Sequence, residues 1–311
     1  MTVPHDMKTI WKVLGGVCGV SGLFVGILIL GYGILSFKRP ARSPHQEQLF
    51  QGVFYQRKVH SQPRRFLRSR SFLVHTVAID LTAKGIRVLT TMGSFREDGK
   101  EFDAQTTGDF LQANRLQLAI NGSYFQPFYT KHPWDFYPKT GDRVDVLGQA
   151  IANGIVYSKP QKGWNVLCFS AENRASIASD RCPVESQYGL SGGYILIIDG
   201  KPAREYRNRE LSDRYPRTAV GIDRQGKKLW IVVIDGRQPF YSVGATFPEL
   251  TQILLDLGSD RALILDGGGS TTLVFEKDGK MRLLNAPIHT RILMRQRPVA
   301  NHLGFFALPI P

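Results

Sequence analysis

The chain has 311 residues, of which 42% are hydrophobic, and a formal net charge of +14 at pH 7. This length and apolar content are enough for one large folded domain and exclude an intrinsically disordered chain. The positive charge is concentrated in residues 38–72, where nine Lys and Arg side chains face only Glu47, which predicts attraction to anionic lipid head groups or acidic polymers. Nucleic acid is not an expected partner, because no helix-turn-helix, zinc-finger or RNP-like motif accompanies the charge.

The N-terminal part of the sequence predicts a membrane anchor. Residues 13–37 form an uncharged run of 25 residues rich in Val, Leu, Ile, Phe and Gly. A helix needs roughly 20 residues to span a bilayer, whereas a cleavable signal peptide has an apolar region of only about 7 to 15. We therefore expect a short N-terminal segment at 1–12, a transmembrane signal anchor at 13–37, a basic linker at 38–48 and one domain over 49–311.

The cysteines bear on the compartment of that domain. Cys18 falls in the predicted anchor, while Cys168 and Cys182 flank a segment of loop-like composition. This pair suits a disulfide in an oxidising compartment, and two unrelated buried thiols are the alternative. The Lys and Arg residues on either side of the anchor slightly favour the opposite orientation, with the domain in the cytoplasm.

The predicted elements of the soluble part are mostly short strands, punctuated by Gly, Pro and Asn. Two amphipathic helices are expected at 106–114 and 248–257, the second with Thr246 as N-cap and Gly258 as its end. Asp199-Gly200 and Asp278-Gly279 indicate turns. The mixture predicts a single α+β domain, strand-rich with a mixed sheet and a few helices. The predicted strands are 53–59, 72–80, 86–91, 116–120, 154–157, 194–199, 218–222, 229–234, 262–265, 272–276 and 303–308.

Polar motifs follow or open several of these strands, and the most informative begins at Asp266. The strand before it should fix the carboxylate in place, and the three glycines after it permit a tight bend with backbone amides free to bind an anion. A tight turn in which Asp266 caps its own backbone is the structural alternative. The other motifs are Asn121-Gly122-Ser-Tyr-Phe125, Gly192-Gly193, Arg217-Thr218-Ala-Val-Gly221, Asp235-Gly236 and Arg297-Pro298-Val-Ala-Asn301.

This ordered series resembles the phosphodiester glycosidase family, over roughly residues 53–308. The N-G-x-Y-F, R-T-A-x-G, L-D-G-G-G-S-T and R-P-V-x-N elements carry the resemblance, whereas the first 120 residues match only in general strand pattern. The resemblance implies hydrolysis of the bond between a sugar C1 and a phosphate oxygen, outside the cytoplasm. Many bacterial relatives carry an N-terminal membrane segment, and some are associated with exopolysaccharide production. On this ground we expect the domain in the periplasm or at the cell surface.

The chemistry assigns roles to the motif residues. Glycosyl transfer from a phosphate passes through an oxocarbenium-like state, so the site must place a carboxylate near the anomeric carbon and donors around the phosphate. Asp266 is the predicted nucleophile or base, with Arg217 and Ser270 as catalytic partners at the phosphate. The predicted substrate-binding residues are Asn121, Gly122, Thr218, Asp235, Gly267, Gly268, Gly269, Thr271 and Asn301.

The same residues also allow other interpretations. A divalent cation held by Asp266, Asp235 and Asn301 is conceivable, although no recognised metal-site spacing exists. A serine hydrolase built on Ser270 conflicts with the strand-like residues that follow, because a nucleophile elbow must lead into a helix. A membrane-tethered domain that binds glycans or anions without catalysis is the main alternative. His289 and His302 are more simply interpreted as structural.

Overall fold

The computed structural model describes residues 30–62, 70–97, 99–203 and 213–310, together with residue 26. The chain divides into two compact units, Met1–Arg39 and Pro40–Pro311. In the first unit residues 30–37 are helical, and most of the predicted anchor lies outside the described residues. Within the described ranges, no helix is long and apolar enough to cross a membrane.

The second unit is built mainly of short strands. Helix α1 spans Thr107–Ala113 and helix α2 spans Phe247–Asp256. The strands are β1 His45–Phe50, β2 Val53–Gln62, β3 Arg70–Asp80, β4 Arg87–Thr90, β5 Phe102–Asp103, β6 Leu118–Asn121, β7 Phe125–Gln126, β8 Tyr129–Thr130, β9 Phe136–Tyr137, β10 Arg143–Val146, β11 Ala150–Ala152, β12 Ile155–Ser158, β13 Val166–Phe169, β14 Ala175–Ala178, β15 Tyr188–Ser191, β16 Ile195–Ile198, β17 Lys201–Pro202, β18 Arg217–Ile222, β19 Lys228–Ile234, β20 Arg261–Ile264, β21 Leu273–Lys277, β22 Lys280–Leu283 and β23 His302–Phe306.

Three larger sheets enclose the main core. Their strand orders are β1-β2-β3-β19-β18-β20-β16-β17, β22-β21-β6-β23-β4 and β12-β11-β15-β13-β14. The ladders between these strands are antiparallel, and a parallel pairing occurs at the isolated bridge between Ile288 and Arg295. The apolar faces of the sheets share one cluster of buried side chains, which includes Val77, Ile120, Leu190 and Leu263. The prediction of a strand-rich α+β domain with few helices is confirmed.

Helix α2 begins and ends where its sequence signals lie. The Thr246 side chain accepts a hydrogen bond from the amide of Glu249, and the Glu249 side chain binds back to the amide of Thr246, which completes a capping box. Gly258 follows the helix with a φ of +87°, a conformation that a residue with a Cβ rarely adopts. The buried face of helix α2, with Leu250 and Leu254, packs against the eight-stranded sheet. Ala245 directly precedes this cap, and its carbonyl accepts a hydrogen bond from Nε of Arg217 at 3.2 Å.

Several strands occur where the sequence analysis predicted none, among them β1, β13 and β14. Strand β1 occupies residues 45–50 and so overlaps the predicted linker at 38–48, because its side chains alternate too weakly to mark it as a strand. The loop-like segment between Cys168 and Cys182 contains β14, and Cys168 itself lies on β13. The predicted disulfide is confirmed, since the two sulfur atoms are bonded with the Cα atoms 5.6 Å apart.

Antiparallel pairing brings four strand ends to one edge of the fold. The C-terminal end of β20 lies beside the N-terminal end of β18, because Ala219 pairs with Ile264. In the neighbouring sheet the C-terminal end of β6 lies beside the N-terminal end of β23, where Asn121 pairs with His302. The motifs that precede or follow these strands therefore meet.

Candidate active site

Asp266 lies two residues beyond the end of β20 and is fixed through its backbone. Its amide donates a hydrogen bond to the Gly122 carbonyl at 3.1 Å. Its own carbonyl accepts one from Nδ2 of Asn121 at 2.7 Å. The Asn-Gly turn after β6 thus holds the backbone of Asp266 and leaves its carboxylate to project from the strand end.

Asn121 is a positioning residue in this geometry. Its side chain is fully buried, and Oδ1 accepts hydrogen bonds from Oγ1 of Thr218 at 3.0 Å and from the amide of Thr272 at 3.1 Å. The Asn121 side chain therefore links its own strand, β6, by hydrogen bonds to β18 and to the residues on either side of the glycine bend, Asp266 and Thr272. This arrangement differs from the direct substrate contact that the sequence predicts for Asn121 and Thr218.

Asn301 serves the same turn from the other side. Its Oδ1 accepts a hydrogen bond from the amide of Ser123 at 2.7 Å, and Nδ2 donates to Oγ of Ser123 at 3.0 Å. Its carbonyl accepts from the amide of Gly122 at 3.0 Å. A Cβ on Gly122 would come within 2.5 Å of Asn301 Oδ1, so only glycine fits there. Gly122 and Asn301 therefore shape the turn, and the substrate contacts predicted for them stay predictions.

The glycine bend of residues 267–269 uses part of its own backbone. The amide of Gly268 donates to the Pro216 carbonyl at 2.9 Å, and that of Ser270 to the Gly267 carbonyl at 3.2 Å. The amide of Gly267 binds the Asp266 carboxylate. The predicted anion-binding nest is therefore largely occupied, and the structural reading of this turn is partly correct.

The glycines instead give room to two arginines that the sequence analysis did not assign to the site. A Cβ on Gly269 would lie 2.6 Å from Nη2 of Arg297, and a Cβ on Gly268 would lie 3.3 Å from both terminal nitrogens of Arg237. Both guanidinium groups therefore rest against the bend. Arg297 stands in the R-P-V-x-N motif, and this motif could have identified it as a site residue. Arg237 directly follows Asp235-Gly236, and no sequence motif marks it as a site residue.

Both arginines are near enough to Asp266 to interact with its charge. Burial lowers the pKa of Arg297, and Asp266 opposes that shift. Burial also lowers the pKa of Arg237, with Tyr215 and Asp266 acting the other way and Arg291 in the same direction. Arg237 makes no hydrogen bond to any residue in the described ranges. Arg297 is half-buried and Arg237 is exposed, so the two guanidinium groups present charged donors that suit an anion.

Burial dominates the environment of the Asp266 carboxyl. It raises the pKa of that group, while Arg297, the Ser270 hydroxyl, the Gly267 amide and Arg237 lower it in that order. Ser270 is itself fully buried, and its Oγ accepts a hydrogen bond from Nη1 of Arg297 at 3.1 Å. The predicted proximity of Ser270 to Asp266 is thus observed, with Arg297 joining the pair.

Arg217 lies at the edge of this cluster. Its Nε donates to the Ala245 carbonyl at 3.2 Å and its Nη2 to the Asp213 carbonyl at 2.9 Å. The guanidinium also stacks on the Phe247 ring, with 4.2 Å between Cζ and the ring centroid. Two donors are therefore engaged, and Nη1 is the one without a hydrogen bond in the described part of the chain.

Tyr124 lies near enough to Asp266 and Arg217 for both charges to act on its hydroxyl. Burial raises the pKa of the Tyr124 hydroxyl, Asp266 raises it further, and Arg217 lowers it. Its ring lies 5.5 Å from the Trp164 ring, centroid to centroid. Tyr124 belongs to the N-G-x-Y-F motif, but the sequence analysis gave it no role.

Asp235 is buried in the core. His75 Nε2 lies 3.0 Å from one carboxylate oxygen, and Nδ2 of Asn285 and the amide of Ala286 donate to the other at 3.1 and 2.8 Å. Nδ1 of His75 in turn lies 2.8 Å from the Tyr55 hydroxyl. With both oxygens satisfied and 1% of the residue exposed, Asp235 secures strand ends. The hydrogen bonds found for Asp235 thus lie within the protein, and its substrate contact stays a prediction.

His289 is the one histidine at the site. Its Nδ1 accepts a hydrogen bond from Nε of Arg297 at 3.2 Å, and burial together with Arg297 and Arg295 lowers its pKa to about 3. The ring is therefore neutral with a proton on Nε2, which has no partner among the described residues. His302 instead bonds Thr91 through Nδ1 at 3.0 Å and stacks on Phe110, which fits a structural residue.

The remaining predictions concern Thr271, a metal and the serine hydrolase. Thr271 is buried beside the bend, and its hydroxyl lacks a partner in the described ranges. No group of three or more His, Cys, Asp or Glu side chains that could hold a metal occurs among the described residues. Ser270 leads through Thr272 into strand β21, so it lacks the strand-to-helix geometry of a nucleophile elbow.

The family model of phosphodiester glycosidases matches residues 114–306, which is more than half of the chain. The chain belongs to the phosphodiester glycosidase family. The matched region contains the Asn-Gly turn, the glycine bend and all the arginines described above.

Similar individual proteins are distant. The SPbeta prophage-derived uncharacterized protein YomE of Bacillus subtilis is 27% identical over 146 residues, which cover 42% of this chain and 22% of that protein. A hypothetical protein from Synechocystis has a TM-score of 0.61 at 16% identity, covering 86% of this chain and 64% of that one. The catalytic domain of zebrafish N-acetylglucosamine-1-phosphodiester alpha-N-acetylglucosaminidase has a TM-score of 0.58 at 16% identity, covering 89% and 93%. These structures share the fold with this phosphodiester glycosidase domain.

Proposed function

We propose that the domain hydrolyses a sugar-1-phosphodiester by breaking the bond between the anomeric carbon and the phosphate oxygen. The observation that carries this proposal is the position of one carboxylate, Asp266, directly before a glycine bend against which two guanidinium groups, Arg237 and Arg297, rest. A carboxylate suits the developing positive charge at the anomeric carbon, and the guanidinium groups suit the phosphate that departs with the bonding electrons.

The arginines also explain why no second carboxylic acid is needed. A phosphate diester is a good leaving group, so protonation by a general acid matters less than in ordinary glycoside hydrolysis. No described residue accepts a hydrogen bond from the Arg237 side chain, and Arg297 is oriented by Ser270 and His289. Binding of a phosphate between them would place its sugar substituent toward Asp266, as nucleophile or as base for water.

We further propose that the enzyme is membrane-anchored and acts outside the cytoplasm. The uncharged run of residues 13–37 supports the anchor, and the bond between Cys168 and Cys182 suits an oxidising compartment. A substrate in the cell envelope, such as an exopolysaccharide carrying sugar phosphates, would be within reach of such an enzyme. Protease protection in spheroplasts tests the location, because an exported domain would be cut and a cytoplasmic one would not.

The catalytic proposal is tested with the full chain and a panel of sugar-1-phosphodiesters, separating free sugar from sugar phosphate. We expect free sugar, and we expect Asp266→Asn to abolish its release while substrate still binds. Arg224→Ala is the matched control, because Arg224 is an exposed arginine paired with Asp260 beyond the other end of β18. Binding without turnover by the unchanged protein would instead support the glycan- or anion-binding alternative.

A further inference from the structure

The hairpin of β8 and β9 presents aromatic side chains to solvent. Phe128, Tyr129 and Trp134 are 59%, 44% and 75% exposed. Exposed aromatic side chains that cluster on a surface commonly mark a binding site, because each ring offers a large contact area with little conformational entropy to lose. The hairpin has no role in the chemistry proposed above.

The hairpin is attached to the phosphate side of the site. The Phe128 ring centroid lies 5.5 Å from Cζ of Arg297. The Phe136 ring packs edge-on against His289 with the centroids 4.8 Å apart, and Nη1 of Arg295 donates to the Pro133 carbonyl at 2.6 Å. A group attached to a phosphate at Arg297 would therefore leave the site alongside this hairpin.

The rings are held in place and alternate with polar side chains. Tyr129 stacks on Tyr137 with 6.0 Å between centroids, and Trp134 stacks on His132 at 5.6 Å. Exposed Thr130, Lys131 and His132 lie between the aromatic positions. Flat rings interspersed with hydrogen-bonding groups suit a chain that carries both C–H faces and hydroxyls, whereas an acyl chain would favour an uninterrupted apolar surface.

We propose that this hairpin binds the part of the substrate beyond the phosphate, and that this part is a carbohydrate chain. The inference rests on the proposed function, since it takes Arg297 as a phosphate ligand. Stacking of sugar rings on Tyr129 and Trp134 would add binding energy remote from the bond that breaks, and would select phosphodiesters of glycans over those of small alcohols.

The test compares two substrates that share one sugar-1-phosphate half and differ in the other half, a methyl group or an oligosaccharide. For Trp134→Ala and Tyr129→Ala we expect kcat/KM to fall about tenfold with the oligosaccharide and to change less than about twofold with the methyl diester. Phe54→Ala is the matched control, because Phe54 is a 43% exposed aromatic on β2. It should leave both values unchanged.

Equal effects on both substrates, or no effect on either, would overturn the inference. A third substrate carries a long-chain lipid in place of the oligosaccharide. The inference would also be overturned if Trp134→Ala and Tyr129→Ala lowered kcat/KM with this lipid diester only. If the unchanged protein hydrolyses no diester, the proposed function fails separately, and calorimetry with a phosphorylated trisaccharide decides the role of the hairpin. Weaker binding by Trp134→Ala would support it, and identical or absent binding would refute it.

Discussion

Hydrogen bonds to the backbone of Asp266 fix its position, and its half-buried carboxyl lies within the electrostatic reach of Arg297 and Arg237. Asn121 and Gly122 fix the main chain on both sides of the carboxyl-bearing Cα. Burial nevertheless remains the strongest influence on the carboxyl and raises its pKa. A charge that is costly to hold in the folded state is typical of catalytic groups.

Replacing Asp266 separates activity from stability. Asp266→Asn should lower kcat/KM at least about a thousandfold, because the nucleophile or base is lost. It should also raise the melting temperature at neutral pH. The raised pKa means that the folded state holds the proton more tightly than the unfolded state, so stability falls as pH rises from the ordinary value of 3.8 through the folded value.

Calorimetric melting at several pH values measures the second effect. The stability gained by Asp266→Asn should vanish below the ordinary pKa, where both proteins carry a neutral side chain. A variant that melts below the unchanged protein at pH 7 would show that the ionised carboxylate is stabilising after all.

The pH dependence of catalysis follows from the same burial. We expect kcat/KM to rise with pH as Asp266 loses its proton, with the midpoint above 3.8. No ionisation near pH 6.5 should come from His289, because its pKa is lowered to about 3 and the ring stays neutral. A midpoint that moves in His289→Gln would contradict the neutral assignment.

The two arginines at the glycine bend differ in how replaceable they are. Arg297 uses Nε and Nη1 to contact His289 and Ser270, so Arg297→Lys should lower kcat by about a hundredfold through loss of this fixed fork. Arg237→Lys retains a mobile charge and should raise KM more than it lowers kcat. Steady-state kinetics on one phosphodiester measures both, and similar changes in the two variants would argue against separate roles.

Among the elements, the sheet that carries the disulfide supports the Asn-Gly turn. Strand β15 ends at Ser191, whose Oγ donates to Oγ of Ser123 at 3.0 Å. The disulfide joins β13, the neighbour of β15, to residue 182. The Asn-Gly turn therefore contacts a sheet that is stabilised by a disulfide-closed loop.

Opening this loop should lower the free energy of unfolding by about 3 kcal/mol, the value expected for a closed loop of this size. Urea unfolding of Cys168→Ser and of the double variant Cys168→Ser/Cys182→Ser measures the loss. Cys18→Ser is the control, because it removes a thiol and leaves the pair. Equal stability in all these proteins would show that the bond contributes nothing to folding.

Most elements could be predicted from the sequence because their strands are apolar runs bounded by turn residues. The Asp278-Gly279 hairpin is one example, with φ values of +54° and +72° at its two turn residues. Strands β13 to β15 were missed because each has four residues and turn signals such as Asn173 and Pro183 crowd between them. A four-residue strand has too few alternations to reveal its period.

The site was predictable in part, and for a related reason. Asp266 and Ser270 stand at a recognisable strand end, so their placement followed from local pattern. Arg237 was not predictable, because its approach to Gly268 depends on a φ of +57° and on the pairing of distant strands. Asp235 looked equivalent to Asp266 in sequence, yet the fold surrounds it with His75 and Asn285.

At the scale of the whole molecule, the basic segment after the predicted anchor contacts the loop that carries Arg237. The excess of Lys and Arg in residues 38–72 follows the predicted anchor, where it would adhere to anionic head groups. Arg42 bonds the Phe240 carbonyl at 2.7 Å, and Tyr241 donates to the Pro40 carbonyl at 2.9 Å. The start of the second unit is thus secured to the loop that carries Arg237.

The central claim is that the bond broken joins carbon to oxygen, with Asp266 acting at the carbon. Hydrolysis of a sugar-1-phosphodiester in water enriched in oxygen-18 tests it most directly, with mass spectrometry of both products. We predict the label in the anomeric hydroxyl of the free sugar and none in the phosphate monoester. Label in the phosphate would show attack at phosphorus and would contradict the account.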